Sequence, residues 1–189
     1  MSELTPSPAD VARTLADMMS AAWPTTGDES RQWLTRHGID PDSATKRTSG
    51  RGVGHSWARA RMDGWGTADA GWGTFRDEFV GVNWFLWRGS SSDEVMTAAH
   101  ALADLLTQAQ GIPTEAEEST EHGGTWLWLL ADHVIIMYAY HGRPRPDGFP
   151  AGDACVQLHV DLRERAEAQE EHARAHPAER PAPLAQPDQ

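Results

Sequence analysis

The residues of this 189-residue chain that could do chemistry are nine histidines, one cysteine and a few glycine-rich or charged runs. Their spacing excludes most reaction types. Gly50-Arg51-Gly52-Val53-Gly54 has the glycine density of a phosphate loop, but no strand precedes it, no helix N-terminus follows, and no Lys-Ser/Thr completes it. The metal-binding patterns H-E-x-x-H, H-x-H and C-x-x-C do not occur. His133 and His141 stand at opposite ends of one expected strand, roughly 26 Å apart at strand rise. His159 and Asp161 share a strand face and form a pair of possible ligands, although a solvated strand face carries such residues anyway. Cys155 lies in an alternating strand with no basic neighbour in sequence to lower its thiol pKa. His100 and Asp104, four apart on a helix, read as a surface pair. No G-x-S-x-G elbow is present. The sequence therefore predicts no catalytic residue, no metal site and no cofactor.

Binding chemistry is easier to locate. Lys46, Arg47, Arg51, Arg59 and Arg61 form a basic stretch that could hold a phosphate or carboxylate, or pair with the protein's own surplus acids. Asp63 to Gly73 is a glycine-flanked run with Trp65, Trp72, Asp63 and Asp69. Tryptophan is a preferred interface anchor, so this run is the best candidate binding site; alternatively both indoles fold back over the sheet. An acidic loop adds Glu115, Glu117, Glu118 and Glu121. A different grouping, Arg59 and Arg61 with His159, would suit a small anion.

Composition narrows the setting. Hydrophobic residues are 39% of the chain, enough for one packed core in a domain of this length. The net charge of -12 repels phosphate backbones and anionic lipid, so nucleic acid and membrane are not expected partners, whereas a basic protein is. A single cysteine fits a reducing compartment. Residues 1–10 lack a basic-then-apolar leader, and the apolar stretch Thr125–Tyr140 is broken by Asp132-His133. The expected location is cytoplasmic. Nine tryptophans exceed what a core of this size requires.

The elements that must position these residues follow from pattern and caps. Ser7 and Pro8 open a helix over Pro8–Ala22, with Val11, Leu15 and Met18 on one face, stopped by Trp23-Pro24. Asp28 caps a short helix over Glu29–His37, ended by Gly38. Pro41–Gly54 reads as loop, Ser56–Met62 as a strand, Asp63–Gly73 as a long loop, and Glu78–Trp87 as a strand. Ser91 with Glu94 makes a capping box for a helix whose stripe of Val95, Ala98, Ala99, Leu102 and Leu106 ends at Gly111. Thr114–Gly124 reads as an acidic loop. A hairpin follows, Thr125–Leu130 with Val134–Tyr140, then a loop over Arg143–Asp153 and a last strand, Ala154–Leu162. The fold class is α+β: a mostly antiparallel sheet of about five strands in the order α-α-β-β-α-β-β-β, with helices on one face. Residues 1–162 make one domain. Residues 163–176 are a charged, helix-prone segment, and residues 177–189 are expected to be disordered.

This order, with a Leu/Ala helix ending Gly111-Ile112-Pro113 and a hairpin bearing Trp126, Trp128 and Val134–Tyr138, resembles a domain-of-unknown-function family of small actinobacterial proteins. The resemblance covers about Asp10 to Asp161 as topology, and the loops around Trp65 and Arg143–Asp153 depart from it. Some such proteins are thought to be immunity proteins of polymorphic toxin systems. The resemblance thus implies a protein-binding inhibitor that occludes a basic toxin or effector through an acidic, tryptophan-bearing surface. No functional residue transfers with it. The alternatives are a small-molecule-binding domain or enzyme with a Trp/Arg-lined pocket, and a structural or adaptor module. The protein is expected to be a monomer or a small homo-oligomer.

Overall fold

A computed structural model of the protein describes residues 4–25, 27–48, 55–62, 64–66, 68–119, 123–142 and 154–176; for residues 27, 45–48 and 55–59 it describes the backbone only. Helix α1 spans Pro8–Ser20. Its N-cap is Ser7, whose hydroxyl accepts from the Asp10 amide, and it buries Val11, Leu15 and Met18. Helix α2 spans Gly27–Arg36, and a 3-10 turn at Pro41–Ser43 follows. Four strands come next: β1 (Thr45–Thr48), β2 (His55–Arg61), β3 (Asp69–Phe75) and β4 (Glu78–Leu86). Helix α3 (Ser92–Gln110) has the reciprocal Ser91–Glu94 capping box. Then come β5 (Glu115–Ser119), β6 (Gly123–Leu129), β7 (His133–Tyr140), β8 (Cys155–Leu162) and helix α4 (Arg163–Ala175).

All eight strands form one antiparallel sheet in the order β1-β2-β3-β4-β8-β7-β6-β5. Two four-stranded meanders, joined in sequence by α3, meet edge to edge where β4 pairs with β8. Both inner strands are flanked on each side, so their backbone groups are satisfied by the ladder.

The α+β class and the antiparallel sheet agree with the sequence reading; the count of five strands does not. Three strands were read as loop. β3 has three non-β-forming positions, Ala70, Gly71 and Gly73, and is held extended by pairing with β2 and β4 on both sides. β5, Glu-Ala-Glu-Glu-Ser, is exposed at all five positions and shows no apolar alternation because it is an edge with no buried face. β1 is likewise an edge.

Strand alternation gives the sheet two faces. On the first, Trp84, Leu158, Met137 and Trp126 lie in one row across β4, β8, β7 and β6, under α3 and the α1 packed beside it. The expectation that helices cover one face is also corrected: α4 crosses the second face. Among the described residues no helix is long and apolar enough to cross a membrane.

Of the tryptophans whose side chains are described, six are buried and Trp23 and Trp72 are half-buried. None of the eight whose side chains are described is exposed. Trp87 Nε1 donates to Pro6 O (2.7 Å) and pins the N-terminal segment; Trp128 Nε1 donates to Gly111 O (3.0 Å) and pins the end of α3. Trp84 Nε1 meets Met62 Sδ at 3.2 Å. Trp23 Nε1 donates to Met18 O (2.9 Å), and its ring lies 5.0 Å from that of Trp33. Each such indole removes roughly 150–250 Å² from water, about 4–6 kcal/mol of gross burial.

Candidate functional site

Helix α4 leaves β8 without a loop and is tied down by arginines from its first turn. Arg163 donates from Nη1 to Leu130 O (3.1 Å) and from Nε to Glu167 (2.8 Å). Arg165 donates to Pro24 O (3.0 Å) and to Phe79 O, with Glu78 3.6 Å away. Near its other end His172 meets Arg76 (3.4 Å) and packs on Phe75 (5.4 Å between rings). The helix is therefore held across the second face from the β6–β7 turn to the β3–β4 turn. The residues it turns toward the sheet are Ala166, Gln169 and Ala173, at helical spacing. Two alanines and a glutamine cannot fill the space that leucines would, and a groove of about 610 Å³ remains between α4 and the sheet.

Two rows of the second face run beneath α4. One reads Gly73, Gly81, Asp161, Val134, Leu129 across β3, β4, β8, β7 and β6; the next reads Gly71, Asn83, His159, Ile136, Leu127, of which the last three line the groove. The floor is thus glycine on one side, apolar on the other, and polar in the middle.

Asp161 lies over Gly81. A Cβ at Gly81 would stand 1.8 Å from Asp161 Oδ1 and 2.5 Å from Val160 O, so only glycine admits this carboxyl. No described residue donates a hydrogen bond to it, and burial raises its pKa to about 7. His159 is pushed down to about 4 by burial and is neutral at pH 7. Its tautomer follows from its neighbours. Tyr140 Oη donates to Gln157 Oε1 (3.5 Å), which orients the amide so that Gln157 Nε2 faces His159 Nε2 at 2.7 Å. An amide nitrogen only donates, so Nε2 of the ring accepts and the proton sits on Nδ1. The ring also meets Tyr138 edge-on at 6.1 Å. Beside His159, Asn83 is 6% exposed and its Oδ1 accepts from no described residue. The groove therefore offers a carboxyl with no described donor and a neutral imidazole fixed by two neighbours.

The residues singled out from sequence fall elsewhere, with one exception. Trp65 is 8% exposed; Gly64 (φ 74°) and Gly66 (φ 60°) supply the left-handed turn that swings it inward, 6.3 Å from Trp84. Trp72 lies in β3, half-buried on the helix-covered face opposite Val82. Asp69 is half-buried in β3 and meets Arg88 at 3.4 Å. Glu115, Glu117 and Glu118 are exposed on β5, with Glu118 3.3 Å from His100. Asp63 and Glu121 lie outside the described residues. Arg61 is exposed and pairs with Asp69 in register; Arg59 shares the row of Gly71 and His159, but β2 is three strand spacings from β8, about 14 Å. The backbones of the anion trio thus span half the sheet; His159 lines the groove, and the Arg59 side chain lies outside the described residues. Gly81 was missed, because its role depends on which strand lies beside β4. The available signal was glycine density, Gly71, Gly73 and Gly81, in otherwise strand-forming sequence.

Compared with protein-family models, with curated proteins and with solved structures, the chain finds no match in any of the three.

Proposed function

We propose that this protein is a small-molecule-binding domain and that its ligand lies in the groove between α4 and the second sheet face. The observation that carries this reading is the pairing of an apolar wall with a largely buried carboxyl, Asp161, to which no described residue donates a hydrogen bond. Polar groups withdrawn from water normally have hydrogen-bond partners, so a carboxyl left open in a groove of ligand size marks a place where a ligand supplies the missing bonds. The lining differs from the Trp/Arg pocket expected from sequence.

The test is a thermal-shift screen of chemically varied small molecules against the wild type and Ala173→Trp, which fills the groove from α4. Compounds that raise Tm in the wild type and not in the variant support the reading. A screen with no such compound contradicts it.

A protein-binding, immunity-type inhibitor is the second reading, and it rests on β5. That edge strand carries Glu115, Glu117 and Glu118 at exposed positions, an acidic rim suited to a basic partner. It ranks second because charged edges also serve to prevent strand pairing, and because, of the indoles meant to anchor the partner, Trp65 is buried and Trp72 half-buried. A pull-down that recovers one basic protein, lost on changing these three glutamates to glutamine, would favour it.

A further inference from the structure

Taking the groove as the ligand site, we infer that its ligand is an organic cation, an ammonium carried on an apolar body, with N–H groups bonded to Asp161 and its body against Leu127, Leu129, Val134 and Ile136.

Three observations converge on this class. The open polar group at the centre is an acceptor: Asp161, seated over Gly81, accepts two or more hydrogen bonds once ionised. An anionic ligand would meet a carboxylate. Second, the described lining of the groove holds no uncommitted positive charge. Its charged lining is Asp161, Glu167, Glu170 and Arg174, and Arg174 is already paired with Glu170 at 3.0 Å. Glu167 is held by Arg163. His159 stays neutral, its Nε2 occupied by Gln157. Third, β6 and β7 present a continuous apolar strip beside this acceptor, so an amine with a hydrocarbon body is satisfied along its whole length. The net charge of -12 draws cations toward the molecule as a whole.

Protonation gives the inference a signature. Among the described residues, the groups that line the groove with Asp161 are His159 on its own strand, Glu167, Glu170 and Arg174 on α4, and uncharged residues from β3, β4, β6 and β7. Without ligand the Asp161 carboxyl holds its proton up to about pH 7. An ammonium binds the ionised form, so below that pH binding must expel one proton. Affinity then falls about tenfold for each pH unit below about 7 and levels off above it.

The experiment is calorimetric titration of the full chain with benzylamine, benzyl alcohol and benzoate, which share a ring and differ in charge, between about pH 5.5 and about pH 8. The expected result is that benzylamine binds at least about tenfold tighter than the other two, with that pH slope, and that Asp161→Asn weakens it and removes the slope. Equal or tighter binding of benzyl alcohol or benzoate, blocked by Ala173→Trp, overturns the cation while the groove stands. A benzylamine affinity that is flat with pH overturns the role of Asp161. If none of the three binds, or if Ala173→Trp leaves binding unchanged, the groove reading itself fails.

Discussion

Asp161 and His159 stand two residues apart on β8, and burial moves them in opposite directions with opposite consequences for stability. Asp161 goes from 3.8 up to about 7, so between about pH 4 and pH 7 the unfolded chain has lost a proton that the folded chain keeps. Stability from this group is full below about pH 4 and falls as pH rises to about 7. The shift corresponds to roughly 4 kcal/mol at most, reduced because the residue keeps some contact with groove water. His159 goes from 6.5 down to about 4, so over that window the unfolded chain binds a proton that the folded chain refuses. Its contribution is full above about pH 6.5 and is lost toward pH 4. In the wild type the two slopes largely cancel. We predict that, relative to wild type, Asp161→Asn gains a slope of stability rising between about pH 4 and 7, and His159→Gln a slope falling between about pH 4 and 6.5, read from denaturant midpoints at several pH values. A third variant tests the seat of the carboxyl: Gly81→Ala places a methyl against Asp161 Oδ1 and Val160 O and should cost about 3 kcal/mol or prevent folding. The sequence exposed part of this. Asp161 and His159 could be placed on one strand face by alternation alone, but their burial, and hence their chemistry, comes from α4 and from the glycines opposite, which no local pattern encodes.

At the scale of elements, α3 was legible because its determinants are local. A capping box, a stripe at helical spacing and a terminal glycine all lie within twenty residues and agree. The Ser91 hydrogen bonds also hold the Glu94 carboxyl below its ordinary pKa. Ser91→Ala should lower stability by about 1 kcal/mol, measured by urea denaturation. β3 and β5 were not legible, for different reasons. β3 is imposed by two flanking partners on a chain of glycine and alanine, and β5 has no buried face to leave an alternating trace. α4 was legible as a helix-prone charged segment, but the surface it covers was not. Its anchors are Arg165 and two backbone carbonyls far away in sequence, Pro24 O and Phe79 O. Arg165→Ala leaves both carbonyls without this donor. It should cost about 1–3 kcal/mol, with amide exchange accelerating in α4 before the sheet.

For the whole molecule, the central difference from the sequence-based expectation is where the tryptophans go. A surplus of indoles suggested an outward-facing surface; instead they fasten helix ends and the N-terminal segment to the sheet. With the first sheet face fully committed to α1 and α3, what is left for function is the second face, half roofed by a helix too small-sided to fill it. The most direct measurement is a map of backbone amide shifts in the full chain as a compound that raises Tm is titrated in. The account predicts shifts that concentrate on Ile136, His159 and Asp161 and on the α4 residues around Gln169 and Ala173. Shifts gathered instead on β5 or on the turn around Trp65, with the groove silent, would contradict it.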